Sequence, residues 1–171
     1  MAIEIRKPKP EEWQQFKAIR LKSLQEYPLA FASSYEEQLD KPDEDWKSYI
    51  LASESEKDSV MMCAFENNEM IGCVSAIWNN RSKVAHVASI VGMFVYSNQQ
   101  NKGVGFMLIT SILEHLHTKG RFHKAKLDVV STNLPAYNLY KKVGFVETGT
   151  LHAELFLDGI YYDLVEMERF F

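Results

Sequence analysis

The chain has only two cysteines in 171 residues, Cys63 and Cys73. They fall in neighbouring strand-like runs separated by Asn67-Asn68-Glu69, so they can approach one another across a hairpin. Two thiols without a histidine at ligand spacing make neither a zinc site nor a redox pair, and buried free thiols are expected. Also missing is any apolar run of about 20 residues long enough to span a bilayer. The start, Met-Ala-Ile-Glu-Ile-Arg-Lys-Pro, lacks an apolar core of signal-peptide length, so a cytoplasmic protein without membrane contact is expected. Basic clusters are confined to pairs such as Arg6-Lys7 and Lys141-Lys142. With a net charge of -4 this argues against a general nucleic-acid binder. No metal site is expected, because His115 and His117 stand two apart on a helical pattern and face different ways. His115 falls on the stripe of Val104, Leu108, Ile112 and Leu116, where a hydrogen-bonded core histidine is expected. There is no repeat or low-complexity segment.

What is present reads as one domain over residues 1–171. At this length a chain buries roughly 70% of its unfolded surface, so neither staples nor metals are required. Ile3 and Ile5 alternate in a first strand, and Pro10-Glu11-Glu12 opens a helix that turns Trp13, Phe16, Ile19 and Leu24 to one side. After a less regular stretch, a second helix is predicted near residues 44–52 with Trp46, Tyr49 and Ile50. Strand-like runs follow near 59–66, 70–78 and 84–96, joined by Asn-rich turns as in a meander. A helix near 104–119 stops at Gly120. A strand with Ala125, Leu127 and Val129 on one face comes next, then a helix near 135–143. A hairpin turning at Asp158-Gly159 ends the chain.

Two motifs carry chemistry. Gln100-Asn101-Lys102-Gly103-Val104-Gly105 follows the apolar run Ile90-Val91-Gly92-Met93-Phe94-Val95 and opens into an amphipathic helix. Glycines let backbone approach a ligand closely, the unpaired amides of a first helical turn point outward at the positive end of the helix dipole, and Lys102 adds a charge. Such a loop suits phosphate. It is neither the dinucleotide-binding fingerprint, which needs a third glycine, nor a Walker A loop, so nucleotide hydrolysis is not expected. Asn133-x-x-Ala136-x-x-Leu139-Tyr140-x-x-x-Gly144-Phe145 follows a second apolar strand. In this order and separation the two motifs resemble the GNAT acetyltransferase superfamily, and the predicted order of elements matches its architecture over nearly the whole chain.

The resemblance implies an α/β fold, a mixed, mostly antiparallel sheet of about seven strands splayed in the middle and flanked by about four helices. It implies acetyl-coenzyme A as the donor. The pantetheine arm would lie in a slot between residues 90–96 and 125–130, and the pyrophosphate on amides from Gln100 through Asn101, Lys102, Gly103 and Val104 to Gly105. An arm carrying two amides can pair with exposed strand backbone like an extra strand. Acyl transfer from a thioester to an amine requires a polarised carbonyl, which backbone amides near Phe94 and Val95 are expected to supply. It requires a donor to the leaving thiolate, and Tyr140 matches the family tyrosine. A phenol near pKa 10 facing a thiol near 8.5 makes that transfer about 2 kcal/mol uphill. Asn133 matches a position that contacts the cofactor arm, with Asn138 and Lys142 as further contacts.

Family members often carry a glutamate on the strand before the loop, but here that stretch reads Ser89, Ile90, Val91, Gly92. His86 is the nearest titratable side chain on the strand and is a candidate base. An exposed strand-end histidine is the plain alternative. Glu36, Glu154, Asp163 and a water relay are equally open, with Asp163 read first as a structural acceptor. The acceptor site is expected in residues 31–37 and 152–162, which include Phe31, Ser34, Tyr35, Glu36 and Glu154. Deprotonating a lysine-like amine at pH 7 costs about 4.6 kcal/mol against about 1 for a peptide amino terminus. A small or amino-acid-like amine is the first expectation, in the absence of an added recognition module, and a protein N-terminal amine the second. A non-catalytic acyl-coenzyme A sensor is the alternative from another class. A homodimer is left open.

Overall fold

The computed structural model describes residues 2–171. One seven-stranded sheet runs through them in the order β1-β2-β3-β4-β5-β7-β6, with β1 Glu4–Arg6, β2 Ser59–Glu66, β3 Glu69–Trp78, β4 Val87–Val95, β5 Lys124–Val130, β6 Val146–Leu157 and β7 Ile160–Phe170. Five helices accompany it: α1 Trp13–Glu26, α2 Tyr35–Leu39, α3 Asp43–Ser55, α4 Val104–Thr118 and α5 Leu134–Lys142. All neighbouring strands pair antiparallel except β4 with β5. The fifth helix is α2, one turn and a half in a stretch whose sequence reads as irregular. Its signal is the capping box Ser34-x-x-Glu37: the Glu37 amide donates to Ser34 Oγ at 3.2 Å, and the Ser34 amide donates to the Glu37 carboxylate at 2.8 Å.

Strand alternation divides the core between two layers of helices. On β2, Val60, Met62 and Ala64 face a core built with Leu108, Ile109, Ile112 and Leu116 of α4. Met61, Cys63 and Phe65 face the other way, onto Phe16 and Ile19 of α1 and Trp46 and Ile50 of α3. Leu108, Ile109, Trp46 and Ile50 are fully buried, each contributing about 2–3 kcal/mol by removal of apolar surface from water. The β2–β3 turn uses Asn67 and Asn68 at φ 53° and 66°, the left-handed pair that a two-residue hairpin demands. That turn sets Cys63 directly across from Cys73, both buried and free. Burial raises both thiols, Cys73 to about 12, which leaves them protonated and inert.

Candidate active site

The site begins where β4 and β5 part. They pair in parallel only at Val87, Ala88 and Ser89 against Lys124, Ala125 and Lys126, although β4 continues to Val95 and β5 to Val130. On the outer sides the ladders persist, β4 with β3 as far as Val95 and β5 with β7 as far as Val130. The gap is thus a fork between two intact half-sheets. A bulge helps to open it. Cys73 lies across from Phe94 while Ser75 lies across from Val91, which gives β4 one extra residue, and Gly92 there takes φ +64°. A bulge bends its strand and sharpens the local twist. The irregularity lies two to three residues before the Phe94 and Val95 amides, at a glycine, the residue that this conformation favours.

Backbone directions follow from the register. The Tyr96 amide donates to the Ile71 carbonyl at 3.1 Å, and antiparallel pairs alternate between bonded and unbonded positions, so the Val95 amide and carbonyl turn away from β3 toward the fork. The Val95 carbonyl accepts from Gln100 Nε2 at 3.2 Å. That same nitrogen donates to the Tyr27 hydroxyl at 3.0 Å, and the Gln100 amide closes the turn onto Ser97. Gln100 therefore acts as a strut between β4, the loop and the end of α1, rather than as a free donor.

Beyond it, Asn101 at φ 61° and Gly103 at φ 81° reverse the chain into α4. No side chain caps this helix, and the amides of its first turn have no helical partners until Met107 donates to the Gly103 carbonyl. An uncapped N-terminus on an apolar, buried helix is a ready anion site. Lys102 is exposed and rests on Gln99 Oε1 at 2.9 Å. Val104 is buried beneath the turn. The two glycines do different things: a Cβ on Gly103 would meet open space but sits at a left-handed φ, whereas one on Gly105 would press Leu139 of α5 and Met93 of β4 at 3.3 Å. Gly105 makes room for neighbours rather than for a ligand, so α4, α5 and β4 converge at its position.

Tyr140 follows Leu139 on α5 and is buried in the same core as Val95 and Val104, edge-on to Phe145. Burial pushes its phenol up to about 12. The sequence-based cost of handing its proton to a thiolate was about 2 kcal/mol; with the phenol at about 12 the gap to a thiol near 8.5 corresponds to about 5 kcal/mol. Hydrogen-bond donation to the departing sulfur is accordingly favoured over complete proton transfer. Asn133 is the N-cap of α5, its Oδ1 accepting from the Ala136 amide at 3.3 Å, which leaves its side-chain amide nitrogen for other contacts. Asn138 and Lys142 are exposed, and Lys142 lies over the Phe106 ring.

Other sequence candidates fall elsewhere. His86 is exposed in the turn before β4, beside His123 at the start of β5, and its carbonyl accepts the His123 amide at 2.8 Å. It stands at the closed end of the fork, nine residues or roughly 25–30 Å of strand from Val95. A base must act within hydrogen-bond reach or through one water, so His86 is not placed to serve. Ser34 is occupied as the α2 cap, Glu36 is exposed, and Tyr35 is half-buried. Glu154 is exposed in the last hairpin. Its neighbour Asp163 accepts from the Ala153 amide at 2.8 Å and meets His152 Nδ1 at 3.1 Å, the structural role expected of it. His115 is half-buried rather than core, 3.0 Å from Glu56, which also pairs with Lys7 and Lys119. Burial disfavours charge on Glu56, but these partners outweigh it and bring its carboxyl down to about 2. Among the described residues no cluster suits a metal ion, and no helix is long and apolar enough to cross a membrane.

The structure adds residues that the motifs did not mark. The 3-10 turn Pro28–Ala30, directly after α1, lies against β5 across the fork. Tyr27 packs edge-on to Phe94 at 6.0 Å. Glu26, half-buried, keeps Oε2 buried without a protein partner, and the Tyr96 phenol is raised by burial and then by nearby Cys73 and Glu26. The available signal was position alone: Glu26 and Tyr27 end the first helix at Pro28, immediately before the expected acceptor segment.

A family model described as the acetyltransferase (GNAT) family matches residues 16–145. The chain belongs to the GNAT acetyltransferase family. Among its relatives, a spermidine N(1)-acetyltransferase of Vibrio cholerae is 34% identical over 57% of this chain and 55% of that protein. An L-amino acid N-acetyltransferase of Escherichia coli is 30% identical over 60% of this chain and 63% of that protein. This GNAT chain thus spans less than two thirds of the length of those relatives. A Salmonella typhimurium protein solved with its cofactor acetyl-CoA shares the fold with a TM-score of 0.86 at 16% identity, covering 99% of this chain and 94% of that one.

Proposed function

We propose that the protein is an N-acetyltransferase that moves an acetyl group from acetyl-coenzyme A directly to a primary amine of a small molecule. One observation carries the reading: the β4–β5 fork opens beside the uncapped N-terminus of α4, so a strand-like arm and an anionic group can be held by one continuous set of unpaired amides. Bound acetyl-coenzyme A supplies an activated thioester carbonyl. The amides of Gly103, Val104 and Gly105 hold its pyrophosphate, with Lys102 free to swing from Gln99. Val95 directs its amide at the carbonyl oxygen as charge grows there.

In the transfer itself a C–N bond forms, the C–S bond breaks, the amine loses a proton, and the sulfur accepts hydrogen-bond donation from Tyr140. Glu26 is the proton acceptor on the amine side. It is the carboxylate at the α1 exit whose Oε1 pairs with Lys22 at 3.4 Å while Oε2 has no protein partner, and neither His86 nor a β4 glutamate competes for the role. Relatives named for spermidine and for L-amino acids support a small-molecule amine.

Incubation of the protein and acetyl-coenzyme A with a mixed panel of polyamines, amino acids and peptides, followed by mass analysis, tests the reading. An acetylated small amine is expected. Acetylated peptides alone would overturn the choice of acceptor, and binding of the donor without any product would favour a sensor.

A further inference from the structure

Arg20 is a half-buried cation that finds no counter-charge among the described residues. It follows fully buried Ile19 on α1, and its Cζ lies over the Phe31 ring, 4.3 Å from the ring centre. Among the described residues its side chain makes neither a hydrogen bond nor an ion pair, and Nη1 is buried with no protein partner. Burial lowers its pKa from the ordinary 12.5. Removing a cation from water costs several kcal/mol unless an anion or a set of acceptors repays it. Carboxylates among the described residues have cations to hand: Glu56 has Lys7, Lys119 and His115, Glu12 has Arg6 at 2.7 Å, and Glu26 has Lys22 at 3.4 Å, although its Oε2 stays unpartnered.

The position of Arg20 explains what such a charge is for. Phe31, which Arg20 overlies, packs against the cluster of Ile19, Cys73 and Phe94, and Cys73 donates through Sγ to the Gly92 carbonyl of the bulge at 3.6 Å and lies directly across from Phe94. Arg20 therefore lies on the α1 side of the sheet near the strand segment that leads into Val95, where Phe31 and Tyr96 also pack and Glu26 acts on the Tyr96 phenol. A guanidinium is planar, carries five donors, and matches a carboxylate in bidentate fashion; with one face of Arg20 taken by the Phe31 ring, its N–H groups remain to donate. We propose that Arg20 binds a carboxylate on the acceptor, so that the substrates of this enzyme are amino acids or similar zwitterions, with Arg20 on the carboxylate and Glu26 on the amino group. The inference rests on the N-acetyltransferase reading above and narrows its acceptor class. Polyamines, which carry no carboxylate, are excluded as preferred substrates.

The test compares L-amino acids with their carboxamides as acceptors, at saturating acetyl-coenzyme A, for the wild type, Arg20→Gln and Arg20→Lys. The wild type is expected to favour acids over amides at least tenfold in kcat/KM. Arg20→Gln should lose ten- to a hundredfold on acids, chiefly through KM, while its rate on amides and its KM for acetyl-coenzyme A change less than threefold. Arg20→Lys should keep part of the acid preference. Thermal unfolding supplies a readout that a merely structural arginine would move the other way: removing an unrepaid buried charge should leave the midpoint of Arg20→Gln unchanged or higher. Equal wild-type use of acids and amides, or parallel loss on both in the variants, overturns the inference, as does a Gln variant too unstable to fold. Acetylation of polyamines or peptides but not of amino acids overturns it while leaving the N-acetyltransferase reading intact. No acetylated amine of any kind overturns both.

Discussion

At the scale of single residues, the proposed hydrogen-bond donor and the proposed base were legible to different degrees. Tyr140 was visible because tyrosine stands at a fixed spacing before Gly144-Phe145, but its environment was not, since burial depends on which elements close over α5. That environment changes its chemistry: with its phenol pushed up to about 12, Tyr140 stays protonated through the working range and is lost as a donor only as pH approaches that value. Replacement by phenylalanine should lower kcat about a hundredfold while leaving acetyl-coenzyme A affinity within a few-fold, and the wild-type rate should show no falling limb from Tyr140 below about pH 11. Single-turnover kinetics across pH would check both, and a loss under threefold with chemistry rate-limiting would remove Tyr140 from the role. The base was less legible. Proximity in sequence pointed to His86, which precedes β4 at the end far from Val95, whereas the proposed base Glu26 is distant in sequence and is brought in by α1 packing on the sheet.

At the scale of elements, strands and long helices followed from apolar periodicity, and the Asn67-Asn68 and Asp158-Gly159 turns from the left-handed conformations they adopt. The short helix α2 was missed because five residues show no full period, although its capping box was in plain view. The junction of loop and α4 shows how far a motif can be read. Both glycines were expected to let the backbone approach phosphate. The structure separates them: Gly103 is required by its φ of +81°, and Gly105 by the crowding of Leu139 and Met93. A left-handed alanine costs roughly 1–2 kcal/mol, so Gly103→Ala should lower the stability measured by urea unfolding by about that amount, before any effect on binding. An unchanged unfolding midpoint would contradict the strained turn.

At the scale of the whole molecule, the order of elements was enough to give the sheet, because each connection is short and each helix has one apolar face. The fork was expected only from the family resemblance, since nothing in the local sequence of β4 or β5 says where pairing stops. It is the register, three paired positions and then separation, that turns a mixed sheet into a receptor for an extended arm. The account stands on that fork and the α4 N-terminus acting as one donor site. Calorimetric titration of the protein with acetyl-coenzyme A and with acetyl-pantetheine, which keeps the arm and thioester but lacks the nucleotide and pyrophosphate, tests it most directly. Charge-assisted hydrogen bonds from the loop amides are worth about 1.5–3 kcal/mol each, so acetyl-coenzyme A should bind at least about a hundredfold more tightly, whereas equal affinities would contradict the account.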